Sequence, residues 1–252
     1  MGVQSFDDSI LRWMNRRHTS AAAVEAFSIL RRCGIGNISL DLIFGLPQLT
    51  DEVWSDTIDR ALALAPEHIS AYQLSVEEDS ALERMIAAGR FKEAPEDQCA
   101  RQYALLCERL SAAGYRHYEI SNFAVPGREA VHNSAYWRRV PYVGLGPGAH
   151  SLSGARVRSW NSEEIPRRSK DGILMTYSSE NEKLTPEDIR IERIMLPLRT
   201  DGGIPESELR SLADPAVVDH LLSEVALVRS EGSLRIPESR FFTSDDIIRQ
   251  LV

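Results

Sequence analysis

The feature that most limits what this chain can fold into is a regular alternation of short strands and amphipathic helices through its first half. "GVQSF" reads as a strand, "SAAAVEAFSILRRCG" as a helix, "NISLDLIFG" as a strand and "DEVWSDTIDRALALA" as a helix. "HISAYQLSVE", "PEDQCARQYALLCERLSAAG" and "YRHYEISNFA" continue the series as strand, helix and strand. In the helices the apolar residues recur at helical spacing: Val24, Phe27 and Leu30; then Trp54, Ile58, Ala61, Leu62 and Ala65; then Tyr103, Leu106, Cys107 and Leu110. Ser20 stands where an N-cap belongs, and Gly34, Pro66 and Gly114 stand where the helices should stop. Strands joined by helices of this length need right-handed crossovers, so all of these strands are expected in one parallel sheet.

The strands carry a chemical signal as well. Side chains two apart share a face. Ile38, Leu40, Leu42 and Phe44 make one face of the second strand, and Ser39, Asp41 and Ile43 the other. The third strand sets Ser70 and Tyr72 against Ala71 and Gln73, and in the first Gln4 is opposed to Val3 and Ser5. A parallel sheet covered on both sides has near-continuous apolar strands. Asp41 in mid-strand is costly to bury without a partner. Polar groups recurring on three strands point to the inner wall of a barrel, where ligands bind near the C-terminal strand ends. A structural ion pair for Asp41 is the weaker reading.

Composition narrows the function. The chain has 252 residues, 43% of them hydrophobic, enough for one large domain or one domain and a small one. Its net charge of -8 speaks against a nucleic-acid surface. No apolar run reaches a membrane span and Asp7, Asp8 and Arg12 interrupt any leader pattern, so a cytoplasmic protein is expected. Of the cysteines, Cys99 and Cys107 share one helix about 12 Å apart, too far for a disulfide. Neither they nor Cys33 stand at zinc or iron–sulfur ligand spacing, and packing roles are expected for all.

The second half opens on "VHNSAYW" (131–137), followed by "GLGPGAHS" (144–151). Two imidazoles, His132 and His150, and an aromatic pair, Tyr136 and Trp137, thus flank a glycine-rich turn. The bland reading is a surface loop with a packed Trp; the sharper one is a pocket for a large planar or anionic ligand. Residues 154–182 read as an irregular linker. In "LTPEDIRIERIMLPLRT", Thr185 caps a helix, Pro186 opens it and Asp188 closes a capping box. Two further helices, a short hairpin and a last helix follow, the pattern of a winged-helix-like domain over 183–252. Its mixed charge favours packing over nucleic-acid binding.

Taken in order, "GVQSF", "RRHT", "LDLIFGLPQLTDEVW", "HISAYQLSVEEDSAL", "GYRHYEISNFA", "HNSAYW" and "GLGPGAHS" resemble radical S-adenosylmethionine proteins of the oxygen-independent coproporphyrinogen III oxidase group. The resemblance runs over nearly the whole chain. "HN..YW" resembles the HemW-type branch, regarded as heme chaperones. The fold so implied is α/β: the C-terminal part of a partial (β/α)6 barrel over 1–153, then the linker and the winged-helix-like domain. The resemblance places Gln4, Arg17 and Asp41 at S-adenosylmethionine, with Gly144, Gly146 and Gly148 letting backbone approach a ligand. Amide and carboxylate suit ribose hydroxyls and an amino group, and Arg suits a carboxylate. His132, Tyr136, Trp137 and His150 become candidate heme contacts, although each histidine alone reads equally well as a structural residue. Arg138 and Arg139 would pair with propionates or lie in solvent.

The sequence also departs from the group. "NRRHT" leaves the arginine assignment open by one position, and "GLPQLT" replaces "GLPGQT". The CxxxCxxC loop that holds a [4Fe-4S] cluster is absent, so the chain looks like the C-terminal two-thirds of a longer protein, starting at the fourth barrel strand. Its "GVQSF" edge would then be open to self-association. Three functions remain: a heme-binding chaperone passing heme to an acceptor protein, an oxidase that decarboxylates coproporphyrinogen III, and a cluster-free partner-binding module. The resemblance implies no radical chemistry by this segment alone.

Overall fold

The computed structural model describes residues 1–154, 156–163 and 179–252, and within them the chain forms two compact units, Met1–Ala130 and Val131–Val252. The first unit runs β1 (Gly2–Gln4), α1 (Asp8–Trp13), α2 (Ser20–Arg32), β2 (Ser39–Phe44), α3 (Asp51–Ala63), β3 (His68–Gln73), α4 (Ala81–Ala87), α5 (Glu96–Ala112), β4 (Arg116–Glu119) and β5 (Asn122–Ala124). Its strands make one open sheet in the order β1-β2-β3-β5-β4.

β1, β2 and β3 are parallel, as strands joined by helices must be. β5 is antiparallel to both β3 and β4. Residues 115–124 are therefore not one strand paired in parallel, the form their sequence predicted, but a tight hairpin whose return strand β5 lies between β3 and β4. The reason is local. The Ser121 N–H and the Asn122 side-chain amide both donate to the Glu119 carboxylate, which fixes a reversal at residues 120 and 121. So short a link cannot make a parallel crossover, which needs about a dozen residues.

The apolar face of β2 is the centre of the core. Leu40, Leu42 and Phe44 are almost fully buried, level with Ile69 and Ala71 of β3. α3 buries Trp54, Ile58 and Ala61, and α5 buries Leu106 and Leu110. Phe44 meets the rings of Trp54 and Tyr103 at centroid distances of 5.8 and 6.0 Å. The cap of α2 falls one residue before its expected place: Thr19 Oγ1 accepts the Ala22 N–H at 3.2 Å. Ser20 is instead buried, its hydroxyl accepting from Arg60.

The loop leaving the C-terminal end of β2 is held from α5. Gln102, 0% exposed, accepts the Gly45 N–H at 3.0 Å and donates to the Leu49 carbonyl at 2.7 Å. Gln98 donates to the carbonyls of Leu46 and Leu49, each at 2.9 Å. Gly45 has φ +73, and a Cβ there would lie 2.9 Å from the Gln73 side chain, so the turn requires glycine.

The second unit begins with α6 (Val131–Trp137) and an antiparallel sheet of β6 (His150–Ser153), β7 (Val157–Asn161) and β8 (Ser179–Lys183). Two parts of the stretch read as an irregular linker are thus paired strands, because alternate backbone groups of β7 bond to both neighbours. Residues 155 and 164–178 of that stretch lie outside the described residues. Then come α7 (Pro186–Leu198), β9 (Ile204–Pro205), α8 (Glu206–Leu212), α9 (Pro215–Ser223), β10 (Val228–Ser230), β11 (Ser233–Arg235), a 3-10 turn (Glu238–Thr243) and α10 (Ser244–Arg249). Helix, strand, two helices and a hairpin that pairs with the first strand is the winged-helix order. Thr185 and Asp188 form the expected capping box, with Pro186 in the first turn. Among the described residues no helix is long and apolar enough to cross a membrane.

Candidate functional site

Opposite its core face, the first unit's sheet presents polar groups. On β2, Ser39, Asp41 and Ile43 are half-buried and alternate with the buried Leu40, Leu42 and Phe44. Register puts Ser39 beside His68, and Asp41 beside Ser70, which in turn lies beside Asn122. One polar residue per strand therefore runs across β2, β3 and β5 at a single level.

Gln4 and Asp41 are brought together at the β1 side of this row. A Cβ built on Gly2 would lie 2.7 Å from Gln4 Nε2 and 4.0 Å from Asp41 Oδ2, so both side chains share the space that this glycine leaves. Gln4 has φ 67, a left-handed conformation costing a non-glycine residue about 1–3 kcal/mol, and this turns its amide into the sheet. Among the described residues the Asp41 carboxylate has one ionic neighbour, the Met1 amino group at 3.9 Å. An amide beside an under-used carboxylate is a donor–acceptor set that fits the hydroxyl and amino groups of a nucleoside-type ligand. Arg17 lies exposed between α1 and α2; its neighbour His18 is the side chain that turns to β1, with Nε2 3.1 Å from the Val3 carbonyl.

Deeper on the same face sits a hydrogen-bonded chain that the sequence did not reveal. His68 Nδ1 is 2.8 Å from Ser39 Oγ and His68 Nε2 is 2.8 Å from the Tyr118 hydroxyl. Burial pushes the Tyr118 phenol up, and it pushes the His68 imidazole below its ordinary value of 6.5 against the pull of Asp41 and Glu129. His68 is thus neutral in the fold and takes a proton more readily once unfolded. Stability from this source is complete above pH 6.5 and is lost as pH falls through the lower native value. Urea midpoints are expected to be flat above about pH 7 and to decline from about 6.5 downward. A His68→Asn chain should lose that slope; an unchanged slope would mean that other groups cause it. Asp7 acts in a more acid window, its carboxyl held below 3.8 by the Ser9 hydroxyl and the Ile10 N–H.

In the second unit, α6 carries the "HNSAYW" residues. His132 meets Tyr136 edge-on at 4.7 Å, and Tyr136 meets Tyr142 edge-on at 4.7 Å. His132 and Tyr136 are exposed, whereas Trp137 is half-buried with its Nε1–H enclosed and, among the described residues, without a hydrogen-bond acceptor. His150, at the start of β6, is exposed and stacks on Trp160 at 5.9 Å. The glycine-rich turn approaches its own backbone: a Cβ on Gly144 would meet the His150 carbonyl oxygen at 2.1 Å. Gly146 and Gly148 hold φ values of +103 and +63. Arg139 is neither solvated nor free for a propionate, because it pairs with Glu192 at 2.7 Å. Arg138 bonds back to the Ser134 carbonyl of its own helix.

The cysteines do not make a cluster site. Cys33 is exposed at the end of α2, and Cys99 and Cys107 lie two turns apart on α5. Burial pushes the Cys99 thiol up, away from the thiolate that iron requires. The chain's residues do not fit a [4Fe-4S] cluster, and no radical step is assigned to them.

Comparison with known proteins agrees with this architecture. Residues 1–61 match the model of the radical SAM superfamily. The heme chaperone HemW of Synechocystis sp. is 34% identical over 221 residues, covering 84% of this chain and 52% of that protein. The Bacillus subtilis heme chaperone HemW is 34% identical over 244 residues, covering 92% and 63%. The mouse mitochondrial radical S-adenosyl methionine domain-containing protein 1 is 35% identical over 212 residues, covering 81% and 48%. Coproporphyrinogen III oxidase (HemN) from Escherichia coli, described as a radical SAM enzyme, superposes with a TM-score of 0.75 at 19% identity, over 99% of this chain and 62% of that one.

The fold is that of a radical SAM α/β protein. The chain's sequence is similar to the HemW heme chaperones over most of its length, and residues 1–61 carry the radical SAM superfamily match. The chain spans 52% and 63% of the length of the first two of those relatives.

Proposed function

We propose that this chain is the heme- and S-adenosylmethionine-contacting portion of a HemW-type protein, and that the whole protein hands heme to an acceptor protein in the cytoplasm. The reading rests on the identity to proteins named heme chaperones over most of the chain. The observation that carries it is the "HNSAYW" helix, where an exposed imidazole, His132, stands against the edge of exposed Tyr136. An accessible neutral imidazole is a good iron ligand, and aromatic faces suit a macrocycle. His150, backed by Trp160, is the second proposed ligand. Gln4, Arg17 and Asp41 are the proposed S-adenosylmethionine residues, with Gly144, Gly146 and Gly148 at the approach of backbone to ligand.

Heme titration tests this. The chain is expected to give a Soret band that weakens when His132 or His150 is replaced by alanine. Unchanged heme affinity in both variants would remove these ligands from the reading. The oxidase reading is the alternative; the HemN superposition, at 19% identity, speaks for fold alone and favours neither. Anaerobic product analysis on the full-length protein separates the two: protoporphyrinogen forms under the oxidase reading and not under the chaperone reading.

A further inference from the structure

The Ser39–His68–Tyr118 chain has a direction that hydrogen counting determines. Tyr118 and His68 are each 5% exposed, so water satisfies little of either. The Tyr118 oxygen accepts the Ala130 N–H at 3.3 Å. A phenol has a single hydrogen to give, and the acceptor in reach among the described residues is His68 Nε2. Were Nε2 protonated, the phenolic hydrogen would be buried without an acceptor, an arrangement that native structures avoid. Tyr118 therefore donates to Nε2, and the neutral imidazole carries its hydrogen on Nδ1. That hydrogen goes to Ser39 Oγ.

Ser39 is then left with its own hydroxyl hydrogen. No acceptor for it occurs among the described residues, and Ser39 is half-buried rather than sealed. It lies two residues before Asp41 on the same face of β2, about 6.6 Å along the strand. A preset donor and a carboxylate acceptor thus stand side by side, the donor polarised through two further hydrogen bonds.

We propose that Ser39 is a further ligand-binding residue, a hydroxyl donor oriented by Tyr118 through His68, which bonds an acceptor atom of the S-adenosyl ligand held at Asp41. This rests on the S-adenosylmethionine reading of Gln4 and Asp41. His68 and Tyr118 are positioning residues; they act through Ser39. The acceptor is either a nucleoside oxygen or the methionyl carboxylate.

Calorimetric titration of the 252-residue chain with S-adenosylmethionine and with adenosine tests the inference, beside 15N NMR of the imidazoles. Ser39→Ala is expected to weaken S-adenosylmethionine binding roughly 3- to 12-fold, the worth of one hydrogen bond. Ser39→Thr, which keeps the hydroxyl, should recover most of it. An equal loss for adenosine places the acceptor on the nucleoside; a loss confined to S-adenosylmethionine places it on the carboxylate. The unaltered chain should show His68 protonated on Nδ1, and Tyr118→Phe should admit the Nε2–H form. Parent-like binding by Ser39→Ala, or an Nε2–H imidazole in the unaltered chain, overturns the inference. Asp41→Ala separates the two levels: if it weakens binding while Ser39→Ala does not, only Ser39 falls. If both bind as the parent does, or the parent does not bind, the S-adenosylmethionine reading falls with it.

Discussion

Replacing Asp41 with alanine is expected to cost S-adenosylmethionine affinity about 2–4 kcal/mol, roughly a 30- to 700-fold loss. The carboxylate is held in place by β2, whose backbone pairs on both sides, so little ordering is needed when a ligand arrives. It is half-buried, and hydrogen bonds from ligand hydroxyls to an ionised acceptor are worth more there than in water. Asp41→Asn keeps the shape and loses the charge, so it should fall between parent and alanine. Stability should not drop with either change, because the carboxylate's one ionic neighbour among the described residues is the Met1 amino group 3.9 Å away. Affinity within twofold of the parent would exclude Asp41 from the ligand.

Gln102→Leu is expected to destabilise the first unit by about 2–4 kcal/mol. Leucine fills nearly the same volume, so the loss is not a cavity effect. It strands the buried Gly45 N–H, whose acceptor is the Gln102 amide oxygen, and takes from the Leu49 carbonyl one of its two donors, leaving Gln98. The Trp54 indole, which donates to the Gln102 backbone carbonyl at 2.9 Å, keeps its bond and reports unfolding by fluorescence. A urea midpoint little below that of the parent would show that water reaches these groups. Gln102→Glu is the informative companion: it keeps the acceptor for Gly45 and sets a carboxylate against the Leu49 carbonyl.

Much of the first unit was legible in order and type. The alternation of Leu40, Leu42 and Phe44 with Ser39, Asp41 and Ile43 told which face of β2 is buried, since a period of two leaves no other solution. The helices α2, α3 and α5 followed from apolar spacing. The shorter helices α1, α4 and α6 carry too few turns for periodicity to speak. The hairpin at 115–124 was misread because "YRHYEISNFA" has strand composition throughout, and its reversal depends on side-chain bonds to Glu119 that composition does not encode. The same error hid Tyr118, which reaches His68 through the strand that the hairpin inserts.

By itself, the sequence determined the alternation of β1, β2 and β3 with α2, α3 and α5, the buried face of those longer elements, the capping box of α7 and the absence of cluster-spaced cysteines. These are local properties: spacing along one segment decides them. It also marked Gln4 and Asp41 as belonging together, through resemblance. Only the tertiary structure decided that Gly2 leaves room for both side chains, that Arg139 is spent on Glu192, and that Ser39, His68 and Tyr118 form one chain. Those facts join residues between 29 and 53 positions apart. Strand register and side-chain rotamers decide such contacts, and both are settled by packing between segments rather than within them.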